Sequence, residues 1–143
     1  MRGFLIATAA LVALAAPMAS AQSRDAFTGT WAFQTESYGT EQVGAIMSGA
    51  AVITRQAADR YSIQLLSNER LVNRETGQGA FLTARQNCTG SNDDGQFTIT
   101  CQMAEPLEGY APDTFVLQAG EADQLVGVLQ SNDSSQVTFS RIR

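Results

Sequence analysis

The stretch Cys88-Thr89-Gly90-Ser91-Asn92-Asp93-Asp94-Gly95-Gln96-Phe97-Thr98-Ile99-Thr100-Cys101 decides how the chain folds. Asp94-Gly95 is a two-residue hairpin signal, because a type I′ turn needs positive φ at both central positions and glycine tolerates it. Counting outward from that turn, Asp93 faces Gln96, Asn92 faces Phe97, Gly90 faces Ile99 and Cys88 faces Cys101. The pair flanking such a turn is hydrogen-bonded and the pairs then alternate, which makes Cys88–Cys101 a non-hydrogen-bonded pair with Cα atoms ~4.5 Å apart. That separation is at the short end of what a disulfide spans, and these are the chain's only cysteines. The bridge closes a short loop and is worth roughly 3 kcal/mol. Phe97, Ile99, Cys101 and Met103 then face inward, and Gln96, Thr98 and Thr100 face out.

Period-two patterning with frequent turn residues continues on both sides of this hairpin. It predicts strands at about 28–35, 50–56, 60–67, 80–88 running on into the hairpin, 96–103, 114–119, 124–131 and 135–143. Residues 38–48 are interrupted by glycine and read as a loop, with room for a helical turn at 41–47. Residues 68–79 read as a charged connection with Glu69, Arg70, Arg74 and Glu75, and Leu71-Val72 read as a short extra strand at most. Residues 104–113 contain Pro106, Gly109 and Pro112 and read as a loop. The fold class is therefore all-β: an up-and-down antiparallel meander of about eight strands closing into a barrel with one disulfide. Closure removes the exposed sheet edges. A two-sheet sandwich is the rival.

The first strand opens Thr28-Gly29-Thr30-Trp31. Gly-x-Trp at this place resembles the opening motif of lipocalins, and Thr-Gly-Thr-Trp resembles the opening strand of avidins; both are calycin barrels with the meander just described. The lipocalin resemblance implies that Trp31 closes one end of the barrel and that an arginine of the last strand packs across it. Val137, Phe139 and Arg141 share a face of that strand, so Arg141 is the arginine in question, and a guanidinium over an indole contributes about 0.5–2 kcal/mol. Avidins bind biotin with several tryptophans, whereas Trp31 is the only one here. Small exported bacterial barrels are similar as well.

Phe33, Tyr61, Phe81, Phe97, Phe115, Leu117, Leu125, Leu129 and Phe139 are the expected interior. They either line an apolar pocket or fill the core outright. Tyr38, Ile46 and Met47, in the long loop with Glu36 and Glu41, are the expected mouth of the barrel, able to fold over a ligand or to pack on its end. Asn92 to Gly95 faintly resembles a calcium loop but is explained by the turn. Glu105, Glu108 and Asp113 form an acidic loop that reads as solvated rather than as a glycosidase carboxylate pair. Arg55, Arg60, Arg70, Arg74 and Arg85 are spread over the middle strands, with ion pairing to neighbouring carboxylates as the default expectation.

The N-terminus assigns the compartment. Met1-Arg2 is basic, Phe4 to Ala16 is apolar and Ala19-Ser20-Ala21 is a small-x-small cleavage site, so residues 1–21 read as a signal peptide and the mature single domain as 22–143. The apolar run is shorter than the ~20 residues a membrane span needs, which predicts no membrane insertion after cleavage. Periplasm is the expected destination and secretion the second choice. Loss of Arg2 leaves one fewer than the 9 basic residues against 14 acidic ones, a net charge of −6. That balance disfavours nucleic acid, whose binding rests on basic contacts to phosphate. The chain has no His and no Lys. It therefore lacks the usual neutral-pH base, the commonest metal ligand, the Ser-His and Cys-His nucleophile pairs and the Schiff-base lysine. No enzyme activity, no cofactor and no metal are expected. The expected function is an exported binding module holding a small apolar ligand. The alternative is a protein–protein module such as an inhibitor of an exported protease, with residues 22–26 as its arm.

Overall fold

The computed structural model describes residues 25–143. The expected signal peptide at residues 1–21, and residues 22–24 of the expected arm, lie outside that range. Among the described residues there are nine strands and no helix. They are β1 (Gly29–Thr35), β2 (Tyr38–Gly39), β3 (Val43–Ala57), β4 (Arg60–Asn73), β5 (Gly79–Asp93), β6 (Gln96–Met103), β7 (Thr114–Ala119), β8 (Gln124–Gln130) and β9 (Ser134–Arg141). Neighbours pair antiparallel in the order β1-β9-β8-β7-β6-β5-β4-β3-β2, and β1 also pairs with β3. Eight strands thus close into a barrel, while the two residues of β2 lie against the start of β3.

The central hairpin follows from its turn. Asp94 and Gly95 take φ of 49° and 90°, the pairing that type I′ geometry requires. Asn92 Oδ1 accepts the Gly95 N–H at 3.1 Å, so that side chain is used by the turn. The register runs Asp93↔Gln96, Asn92↔Phe97, Gly90↔Ile99, Cys88↔Cys101. Cys88 and Cys101 form the disulfide, with Cα atoms 4.0 Å apart. Gly90 faces inward beneath two rings: a Cβ there would stand 2.7 Å from Phe97 Cζ and 3.0 Å from Tyr61 Cβ.

Alternate residues of each strand fill the barrel. Phe33 stacks on Phe139, with centroids 4.9 Å apart, and both meet Phe115 edge-on. Nearer one end, Phe27 stacks on Phe97 at 4.3 Å and Tyr61 packs edge-on to both. Phe33, Tyr61, Phe97, Phe115, Leu117, Leu125, Leu129 and Phe139 are all buried. They belong to one packed cluster, and Leu129 also reaches the wall of a cleft at one end.

Three expectations are corrected. Residues 38–48 are not a loop with a helical turn: β3 begins at Val43 and β4 runs unbroken through Leu71-Val72 to Asn73. Phe81 is not interior; it is 67% exposed. Even-numbered positions of β5, such as Ala84, Gln86 and Cys88, face inward, so an odd-numbered Phe81 faces out. Ile46 is likewise on the outer face, 41% exposed, while its neighbour Met47 is buried. In β5 the alternation is masked because its inward series includes the polar Gln86, and in β3 because the outward, apolar Ile46 stands between the inward Ala45 and Met47.

Candidate functional site

The two ends of the barrel are built differently. One is stoppered. Trp31 and Arg141 are direct cross-strand partners, and the Arg141 guanidinium carbon lies 4.3 Å from the indole centroid. Arg141 also donates to the carbonyls of Ala26 (3.0 Å) and Thr28 and pairs with Asp123 at 3.2 Å. Trp31 Nε1 donates to the Phe27 carbonyl at 2.8 Å. Asp25 accepts from the Phe27 amide, the Thr28 hydroxyl and the Tyr61 hydroxyl. Asp25 and Ala26, part of the expected inhibitory arm, are therefore tied to the barrel wall.

The opposite end is the mouth, where residues 36–42, 74–78, 104–113 and 131–133 connect the strands. Here residues 104–113 fold across the opening, anchored by Ala104 N–H to the Arg85 carbonyl (2.9 Å) and Cys101 N–H to the Asp113 carbonyl (3.1 Å). They bring Tyr110 and Asp113 over the inward polar residues of β4 and β5. Gln86 grips Asp113 at both ends: its Nε2 donates to Asp113 Oδ2 at 2.6 Å and its Oε1 accepts the Asp113 amide at 2.9 Å. Tyr110 donates to the same Oδ2 at 2.7 Å, and Ser67 Oγ lies 2.9 Å from the Tyr110 oxygen. With the tyrosine proton committed to Asp113, the Ser67 hydroxyl is the donor in that last contact.

Asp113 is 1% exposed, and its Oδ1 is buried without a hydrogen-bond partner. Burial pushes its carboxyl above the usual carboxylate range; Tyr110, Gln86 and the nearby Ser131 pull the other way without cancelling it. No arginine pairs with Asp113: the ion pairs among the described residues are Arg141–Asp123 and Arg143–Asp123. Arg55, Arg60, Arg70, Arg74 and Arg85 thus lack the carboxylate partners expected of them. Arg74 instead donates to the Thr40 carbonyl at 3.1 Å.

Above this network lies a cleft of about 180 Å³, whose wall includes Tyr38, Met47, Glu69, Leu82, Tyr110, Asp113 and Leu129. Tyr38 donates to Glu69 at 2.5 Å. Of the expected mouth residues, Tyr38 and Met47 line this cleft and Ile46 does not. Of the acidic loop, Glu105 and Glu108 are exposed while Asp113 is buried. Sequence reasoning did not single out Ser67, Gln86, Glu69 or Tyr110. The available signal was parity: Ser67 continues the inward series Ile63, Leu65, and Gln86 lies two residues from Cys88 on its inward face.

All three tyrosines donate to a carboxylate: Tyr38 to Glu69, Tyr61 to Asp25 and Tyr110 to Asp113. Burial first, then the adjoining carboxylate, raises each phenol; Tyr61 reaches about 12 and the other two go higher. Because the folded values exceed the unfolded ~10, the stability they contribute is complete below pH ~10 and is lost as pH rises towards the folded values. Phenolate absorbance should therefore stay flat past pH ~10 and then rise in one cooperative step with loss of the circular dichroism of the sheet. Gradual ionisation centred near pH ~10 with the sheet intact would contradict these bonds.

The sequence matches no model of a known protein family, and it matches no curated protein. The architecture, a closed eight-stranded antiparallel barrel, is compatible with a calycin-like fold.

Proposed function

We propose that this chain is an exported binding module that takes a small ligand at the mouth of its barrel, not within it. Asp113 carries the reading. A buried carboxylate with one oxygen unpaired is costly. Its raised pKa means it favours the folded state in acid, a contribution lost as pH rises through the folded value. Local costs of this kind concentrate at functional sites. The interior offers no comparable place, since its rings pack on one another. Binding is favoured over catalysis, because the chain has no His or Lys and the Tyr110 hydroxyl is held protonated against Asp113. Export is supported by residues 1–21 and by the disulfide, which persists in oxidising compartments.

A protein partner is the second reading, favoured by the edge of β5. β6 pairs with β5 only from Gln86 onward, so among the described residues Gly79 to Ala84 have no paired strand on that side. Odd-numbered residues of β5 point their backbone groups towards it, as the Arg85 carbonyl does to Ala104, and this leaves those of Phe81 and Thr83 open. An extended acidic segment added there would meet Arg70, the cross-strand partner of Phe81, and Arg85.

Native mass spectrometry of the mature protein, with Leu82→Trp to fill the cleft and Thr83→Pro to block the edge, tests both readings. A small adduct is expected on wild type and Thr83→Pro and absent from Leu82→Trp. A bare wild-type mass would remove the ligand reading. A co-purifying protein lost only with Thr83→Pro would establish the second.

A further inference from the structure

We propose that the mouth cleft selects a small organic cation: an amine carrying a short apolar body. The inference rests on the mouth-cleft reading above and adds the ligand's charge. Three carboxylates, Glu69, Asp113 and Asp133, belong to the cleft wall, and no arginine does. Asp113 is the decisive one. All its hydrogen bonds come from neutral donors, Gln86 and Tyr110, and its Oδ1 has none. A carboxylate taken out of water without a positive partner either keeps its proton or waits for a cation. Glu69 is held in place by Tyr38 at 2.5 Å, with its remaining acceptor capacity unused by any other bond among the described residues. Carboxylates and tyrosine hydroxyls together accept the N–H groups of an ammonium, and the π faces of tyrosines favour cations. Met47, Leu82 and Leu129 supply apolar wall for the rest of the molecule. An anionic ligand of the same shape would meet like charge and leave Asp113 uncompensated.

The test uses matched probes on the intact mature protein: n-butylamine as its ammonium ion, n-butanol and butyrate, each titrated while backbone amide resonances are followed by NMR. Butylammonium should shift resonances of the mouth segments 109–113 and 131–133, saturably and about tenfold more tightly than butanol, a factor corresponding to ~1.4 kcal/mol; butyrate should leave them unmoved. Asp113→Asn should erase the preference for the amine, and Glu69→Gln, which leaves the buried network intact, should weaken it several-fold. Equal binding of butanol, or any binding of butyrate, at the mouth overturns the charge assignment while the mouth-cleft reading stands. Shifts only outside the mouth, or none with any probe, overturn both.

Discussion

Truncation of Phe139 to Ala is expected to lower the unfolding free energy by about 3–5 kcal/mol, the range for removing a buried phenylalanine. Phe139 is fully buried. It pairs across β9 with Phe33 on one side and Leu125 on the other. Its ring is stacked on Phe33 and edge-on to Phe115 at 5.4 Å. These strands form the seam at which the meander closes, so the cavity would open at the junction of first and last strands, where backbone collapse is resisted from both sides. Phe81→Ala is the control: a ring 67% exposed on the free part of β5 should change stability by less than about 0.5 kcal/mol. Denaturant unfolding of both variants measures the contrast. A Phe139→Ala cost below about 1 kcal/mol would mean that the interior is loosely filled, and a ligand pocket inside the barrel would have to be reconsidered.

What the sequence made legible follows from where its alternation is clean. Around Asp94-Gly95 the turn chemistry sets the register, the register aligns the cysteines, and the inward parity then extends along β6, β7, β8 and β9, whose inward residues are largely Phe, Leu, Val and Ile. Trp31 and Arg141 came within reach through the calycin resemblance, and they are cross-strand neighbours. The mouth was hidden for a physical reason. On β4 and β5 its inward positions include Ser67, Glu69 and Gln86, polar residues whose partners include Asp113, Tyr110 and Tyr38, which arrive from distant connections. A strand with polar residues on both faces has no period-two hydrophobic signal, so the outer half of β4 reads as a loop, while in β3 the outward Ile46 blurs the alternation of the inward Ala45 and Met47. Asp113, between Pro112 and a threonine, had the composition of a solvated turn. Phe81 could have been placed: an odd separation from the inward-facing Cys88 puts it on the outer wall.

Removal of the bridge by the double change Cys88→Ala and Cys101→Ala is expected to cost about 3 kcal/mol, most of it through the unfolded chain. The cysteines are separated by 13 residues, and closing so short a loop limits the unfolded ensemble by roughly that amount. In the folded state little else depends on the sulfurs. The turn at Asp94-Gly95 and the ladder from Asp93↔Gln96 to Gln86↔Met103 fix the same register without them, so the variant should keep the sheet spectrum and unfold cooperatively at lower denaturant. The mouth is nonetheless attached to this seam: Cys101 donates its amide to the Asp113 carbonyl at 3.1 Å, and Gln86, which grips Asp113, lies two residues from Cys88. If the bridge acts only through the unfolded state, the double variant should retain the amine preference at the mouth while losing stability. A stability loss under about 1 kcal/mol would imply that the hairpin persists in the unfolded chain, already held by its turn. A large loss accompanied by failure of the mouth to bind would instead place the bridge in the native support of Asp113.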